Sequence, residues 1–226
     1  MEVSVKEAAA RLGVSPQRVR SLAGAGRIPA RKVGRDWAID VDRFGLGVPS
    51  KRAVGRPLSA RSCWAVLQLL DGRSPEGYSR SELIRAQARL HSVPKTAPGD
   101  LSTRAEIHAL VVHRGLQDRI GDDPRLVLGG VSAASHHRAD LIALGDLEGY
   151  VRAEDLSGLV RDYALAPPSS GVRANVVLRV PHPGWPFDEG QRIAGAPVVA
   201  VDLIDAGDER SVQAGRGLLT RLAPKG

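Results

Sequence analysis

Ser4-Val5-Lys6-Glu7-Ala8-Ala9-Ala10-Arg11-Leu12-Gly13-Val14-Ser15-Pro16-Gln17-Arg18-Val19-Arg20 is the stretch whose reading decides the architecture of this 226-residue chain. It opens on a capping box, in which the Ser4 hydroxyl accepts from the Glu7 amide and the Glu7 carboxylate reaches back to the Ser4 amide. Ala8, Ala9 and Leu12 then make a small apolar stripe, and Gly13 stops the helix. Ser15-Pro16 starts another, with Ser15 as N-cap and Pro16 at the first helical position. Val19, Leu22 and Ala23 are its expected buried face. Gln17, Arg18 and Ser21 point outward, with Arg20 flanking them. Gly24 and Gly26 end this helix. Residues 28–33 and 37–39, separated by Gly34-Arg35-Asp36, read as a β-hairpin. Arg31, Lys32 and Arg35 sit at its tip and Trp37 anchors it in the core; residues 41–44 are compatible with a short closing helix.

Charge agrees with this division. Residues 1–60 hold twelve Lys or Arg against five acids, so the whole formal excess of +7 lies there. The remaining 166 residues hold 20 basic and 20 acidic groups. A positive field confined to one end attracts a polyanion, of which DNA is the commonest. Residues 45–58, rich in Gly, Pro and basic groups, read as a linker.

Past the linker the elements become longer. Ser59 caps an apolar helix over 63–70 carrying Trp64, Leu67 and Leu70, and a second helix spans 79–91. A third helix is expected near 102–112. Residues 122–128 end in a strand, 132–138 are helical, 149–152 are extended, and 153–163 are helical. The β-branched runs 175–180 and 196–203 read as strands. Residues 208–222 close the sequence as an amphipathic helix with Val212, Leu218 and Leu222 on its apolar face. The expected fold class is therefore α+β. A winged N-terminal unit over 1–44 is joined by a basic linker over 45–58 to a mixed α/β domain over 59–226, helical over 59–120 and mixed over 121–226.

The helix, tight turn, proline-capped helix and hairpin at 4–37 resemble the winged helix-turn-helix of the MerR and excisionase group. Gly26-Arg27-Ile28-Pro29-Ala30-Arg31-Lys32-Val33-Gly34-Arg35-Asp36-Trp37 looks like the wing of that group. The resemblance implies double-stranded DNA as partner, with the second helix in the major groove and the wing on the flanking backbone. By position, Ser15, Gln17, Arg18 and Ser21 are implied readers of base edges or phosphates, with Pro16, Arg20 and Arg27 beside them. Arg31, Lys32 and Arg35 are implied phosphate contacts. Lys51-Arg52-Ala53-Val54-Gly55-Arg56-Pro57 resembles an AT-hook in part, with Val54 where a full hook has arginine, so a basic linker is the leading reading. Lys51, Arg52 and Arg56 would still add salt-dependent affinity.

Farther along, Gly129-Gly130-Val131-Ser132-Ala133-Ala134, Gly149-Tyr150-Val151, Asn175-Val176-Val177-Leu178-Arg179-Val180 and Pro197-Val198-Val199-Ala200-Val201-Asp202-Leu203 look like the C-terminal domain of AbiEi-type antitoxins. Asp208-Glu209-Arg210-Ser211 resembles the start of that family's last helix, without its proline. This second resemblance implies an antitoxin and autorepressor paired with a nucleotidyltransferase-type toxin. Two other readings stand beside it: an excisionase-like architectural protein that bends DNA for recombination, and a regulator that senses a small ligand.

Signals for catalysis are thin. His136 and His137 are adjacent and so diverge on a helix, leaving Asp140 alone at a useful spacing, and His108 and His113 lack a partnering Glu pattern. The Gly129-Gly130 turn lacks any nucleotide-binding pattern, and Cys63 lies on an apolar face. No catalytic residue, metal or cofactor is expected. One cysteine excludes an internal disulfide, no run of 18 apolar residues exists, and residues 1–11 carry Glu2 and Glu7 rather than a signal-peptide core. A cytoplasmic protein is expected. One small winged unit makes few phosphate contacts, so a homodimer or cooperative array on DNA is expected as well.

Overall fold

The computed structural model describes residues 2–12, 15–24, 28, 30–34, 36–40, 58–90, 93, 101–141 and 145–222. The expected helix at 41–44 and residues 45–57 of the expected linker lie outside these. The chain is α+β, with a helix-turn-helix at its N-terminal end.

The N-terminal unit contains β1 (Glu2–Ser4), α1 (Val5–Leu12), α2 (Pro16–Gly24), β2 (Ala30–Val33) and β3 (Asp36–Asp40). The Glu7 amide donates to the Ser4 hydroxyl at 3.2 Å, so the first half of the capping box forms. Strand β1 is not anticipated by the sequence. It turns the expected hairpin into a three-stranded antiparallel sheet of order β1-β3-β2, with Val3 opposite Ile39 and Lys32 opposite Trp37. Val3, Val5, Ala8, Ala9, Val19, Ala23, Ile28 and Ile39 make the core, and Trp37 packs half-buried against it. Alanines on α1 let α2 come close, which is how so short a segment closes over a core.

The rest of the chain is built on a four-stranded sheet of order β4-β7-β6-β5, comprising β4 (Ala105–Leu110), β5 (Val127–Leu128), β6 (Leu147–Tyr150) and β7 (Val176–Pro181). Strand β6 runs parallel to β7, and the other pairs are antiparallel. The parallel pair requires a crossover, which α7 (Ala153–Asp162) supplies. Alternation along β7 serves two cores. Val176, Leu178 and Val180 pack with Ile120, Leu126 and Leu159 on one face. Val177 and Arg179 face the other side, where α3 (Ala60–Leu70) and α8 (Ala196–Ala206) bury Trp64, Val66, Val199 and Leu203. Helices α4 (Arg80–Leu90), α5 (Gln117–Gly121), α6 (Gly130–Ala133) and α9 (Glu209–Leu222) complete the body. Leu58 already packs on the α3 core, and its carbonyl accepts from the Thr103 hydroxyl at 2.7 Å.

Two elements differ from the sequence reading. The helix expected near 102–112 is a short 3₁₀ turn at Ser102–Arg104 followed by strand β4. All six β4 residues pair with β7, and that ladder overrides helix propensity. The strand expected at 196–203 is the central helix α8, in which Pro197 through Ile204 are all buried. A helix apolar on every side belongs inside a protein, and a short β-branched run cannot be told from one by periodicity alone.

Candidate nucleic-acid interface

Alternation of burial along α2 creates the outward surface of the helix-turn-helix. Val19 and Ala23 are fully or almost fully buried, while Gln17, Arg20, Ser21 and Gly24 are exposed. Positions 17, 20, 21 and 24 follow the spacing that places side chains on one helical face. Ser15 and Pro16, also exposed, begin that helix, and the Val19 amide donates to the Ser15 carbonyl at 3.2 Å. Arg18 lies on α2, but its side chain, together with Arg27, Arg35, Lys51, Arg52 and Arg56, is outside the described residues. The sheet presents Arg31, Lys32 and Val33 to solvent along β2.

Arg31 and Lys32 differ in availability. The Arg31 guanidinium donates through Nε and Nη2 to the two Glu2 carboxylate oxygens, both at 2.7 Å. This bond from Arg31 holds the Glu2 carboxyl below the usual carboxylate range. A phosphate approaching Arg31 therefore competes with a carboxylate supplied by β1, an element the sequence reading missed. Replacing Glu2 with Gln frees the cation, so DNA binding by the variant is expected to tighten about two- to fivefold at low salt. Its salt slope should steepen by up to about one unit, as for one more phosphate neutralised. Fluorescence anisotropy over a salt series measures both; an unchanged slope would show that Arg31 does not meet DNA.

In the body, the polar residues that come together are ones sequence reasoning did not single out. Arg104, Arg179, Asp202 and Glu148 are each 2% exposed or less. Arg104 donates through Nη2 to Asp202 Oδ1, through Nη1 to Asp205 Oδ2 at 2.7 Å, and through Nε to the Tyr150 hydroxyl at 3.2 Å. The Tyr150 hydroxyl in turn donates to Asp202 Oδ1 at 2.6 Å, and the Gly130 amide donates to Asp202 Oδ2 at 3.0 Å. Arg179 Nη1 donates to Glu148 Oε2 at 2.8 Å. Gly130 has φ +47, and a Cβ there would fall 1.9 Å from Glu148 Oε2, so the Gly129-Gly130 turn is shaped by the network it touches. Burial pushes the Glu148, Asp205 and Tyr150 groups toward their protonated forms. Three carboxyls face two guanidiniums there, and the network ties the turn before β4 to β6, β7 and α8.

The histidines are dispersed. His137 Nε2 lies 2.7 Å from the Ala194 carbonyl, while His136 and Asp140 are exposed. Among the described residues no group of three His, Cys, Asp or Glu side chains is placed to hold a metal. Cys63 is buried, with Sγ 3.4 Å from the Thr103 hydroxyl. No helix of the described residues is long and apolar enough to cross a membrane.

No curated protein and no solved structure matches this chain. Residues 2–44 match the family model of a helix-turn-helix domain, and this N-terminal unit is a helix-turn-helix domain of the DNA-binding kind.

Proposed function

We propose that this chain is a sequence-specific DNA-binding transcriptional regulator that acts as a homodimer or cooperative array. The observation that carries the reading is the exposed α2 stripe of Gln17, Arg20 and Ser21 beside the exposed cation of Lys32, within the first 60 residues, which hold all of the chain's excess positive charge. In this reading Ser15, Pro16, Gln17, Arg18, Arg20 and Ser21 meet the major groove, and Lys32, with Arg27, Arg31 and Arg35, meets phosphates. Lys51, Arg52 and Arg56 extend that electrostatic contact. The protein works in the cytoplasm and needs no cofactor.

We further propose that it represses its own operon as the antitoxin of a type IV-like pair, with a nucleotidyltransferase-type toxin encoded beside it. Support comes from the AbiEi-like segments, which lie far apart in sequence yet supply Gly130, Tyr150, Arg179 and Asp202 to one network. An excisionase role is disfavoured by the two-core body behind the DNA-binding unit, which bending DNA does not require.

Footprinting on the promoter of the chain's own operon tests the first reading. Gln17→Ala is expected to cost about 1–3 kcal/mol at the specific site while sparing random DNA. Lys32→Ala should weaken binding to all sequences and reduce the salt slope by about one unit. The absence of a protected site at the promoter would remove autorepression. Growth arrest by the adjacent gene, relieved by this chain, would support the antitoxin reading; arrest that this chain does not relieve would end it.

A further inference from the structure

An open cavity of about 390 Å³ lies between α3, the segment that follows it, and the loop leading into α8. Its apolar walls are Trp64, Tyr78, Trp185 and Phe187. These rings are braced. Phe187 meets Trp64 edge-on at 5.7 Å and Trp185 at 5.0 Å, Arg152 lies 4.7 Å above the Trp185 ring, and Arg61 lies 4.4 Å above Tyr78. A flat walled space of this volume matches a small molecule.

Its polar lining is mixed in sign. Arg61 and Arg73 contribute cations, and Glu76 and Asp188 contribute anions. An anionic ligand would meet Glu76 and Asp188, and a cationic one would meet the two arginines. A zwitterion satisfies both. Arg73 uses Nη2 to reach Asp188, leaving further N–H groups of its fork for a carboxylate. Gln68, which lines the same cavity, donates through Nε2 to the Pro186 carbonyl at 3.2 Å, while its buried Oε1 has no hydrogen-bond partner among the described residues. A buried acceptor without a donor is costly, and a turn of the amide toward the cavity would let a ring N–H or O–H of a ligand satisfy it.

We propose that this cavity binds a small zwitterionic aromatic molecule carrying a ring hydrogen-bond donor, with the chemistry of tryptophan or tyrosine. The ring lies among Trp64, Trp185 and Phe187, its donor meets Gln68 Oε1, the carboxylate meets Arg73 and the ammonium meets Glu76 or Asp188. The site is independent of the DNA-binding unit in both residues and chemistry.

Calorimetric titration of the full chain with L-tryptophan, tryptamine, indole-3-propionate and L-phenylalanine tests it. L-Tryptophan should bind saturably at one site. Tryptamine, without the carboxylate, and indole-3-propionate, without the ammonium, should each bind about tenfold more weakly, equivalent to about 1.4 kcal/mol. L-Phenylalanine, without the donor, should bind a few-fold to about tenfold more weakly. Gln68→Leu should bring L-tryptophan down to the level of L-phenylalanine and leave L-phenylalanine unchanged. Arg73→Gln, at the rim and outside the core, should weaken L-tryptophan but not tryptamine, and it keeps the test open should the Gln68 variant misfold. Absence of L-tryptophan binding at millimolar concentration, equal binding of all four probes, or an unaltered preference in both variants would overturn the assignment.

Discussion

Replacing Arg104 with methionine is expected to remove about 3–5 kcal/mol of folding stability, a large part of the 5–15 kcal/mol typical of a domain. The guanidinium joins the 3₁₀ turn before β4 to α8 through Asp202 and Asp205, and it donates to the Leu101 carbonyl at 2.9 Å and to the Tyr150 hydroxyl. Methionine fills much of the same volume, so the loss reflects two carboxylates left buried without their cation rather than a void. Arg179→Met should cost less, because Arg179 Nη2 already lacks an acceptor among the described residues and its Nε is 3.4 Å from Asp202. Tyr150→Phe, which removes one hydroxyl from the chain of bonds, should cost about 1–3 kcal/mol. Urea unfolding measures all three, and an Arg104→Met loss below that of Tyr150→Phe would show that the network is not organised around Arg104.

The pH dependence of this loss has a definite sign. Burial raises the Glu148 and Asp205 carboxyls above the ordinary range, so each contributes stability below its unfolded pKa that is lost as pH rises through its folded value. Removing Arg104 takes away the cation that opposes this rise at Asp205. The difference between wild type and Arg104→Met should therefore shrink toward acid pH, where carboxyls can stay neutral, and grow toward neutrality. A difference independent of pH would argue for lost packing alone.

Gly215→Ala is expected to destabilise the protein, whereas Gly217→Ala, two residues away on the same helix, is expected to stabilise it. A Cβ on Gly215 would stand 2.5 Å from the Ala200 carbonyl oxygen and 2.7 Å from Ile204 Cγ1, so α8 and α9 would have to separate. Overpacking of this kind costs about 1–3 kcal/mol and exceeds the roughly 1 kcal/mol that alanine gains in a helix. The Gly217 position meets only the far end of Arg221 at 3.9 Å, leaving a net gain of about 0.5–1 kcal/mol. Thermal unfolding of the two variants should show shifts of opposite sign. Equal shifts would mean that α9 does not dock on α8 through Gly215.

What was legible in the sequence was local. Ser4, Ser59 and Asp208 each accept from an amide three residues on, and Pro16 stands at the first position of α2. Such signals depend on neighbours along the chain and so survive without tertiary knowledge. Strand β1 was illegible because three residues carry no periodicity, and β4 because the strand it pairs with lies more than 65 residues away. Helix α8 left a readable sign in Pro197 near its start and Gly207 just past its end, outweighed by its β-branched run. The DNA-facing stripe could be read from helical spacing, but the Glu2 clamp on Arg31 could not, since it depends on β1. Arg104, Glu148, Arg179 and Asp202 were invisible as a group because they come from the turn before β4, two strands of the sheet and α8, which meet in the fold.

Selection from a random duplex library by the wild-type chain, by the Gln17→Ala, Arg20→Ala double variant and by Lys32→Ala tests the central claim most directly. The wild-type chain should enrich a defined motif, repeated at about 10–10.5 base pairs or a multiple if two copies bind adjacent half-sites. The double variant should lose or change that motif, and Lys32→Ala should retain it at lower affinity. Failure of the wild-type chain to enrich any sequence, or enrichment of the same motif to the same extent by the double variant, would contradict sequence reading by α2.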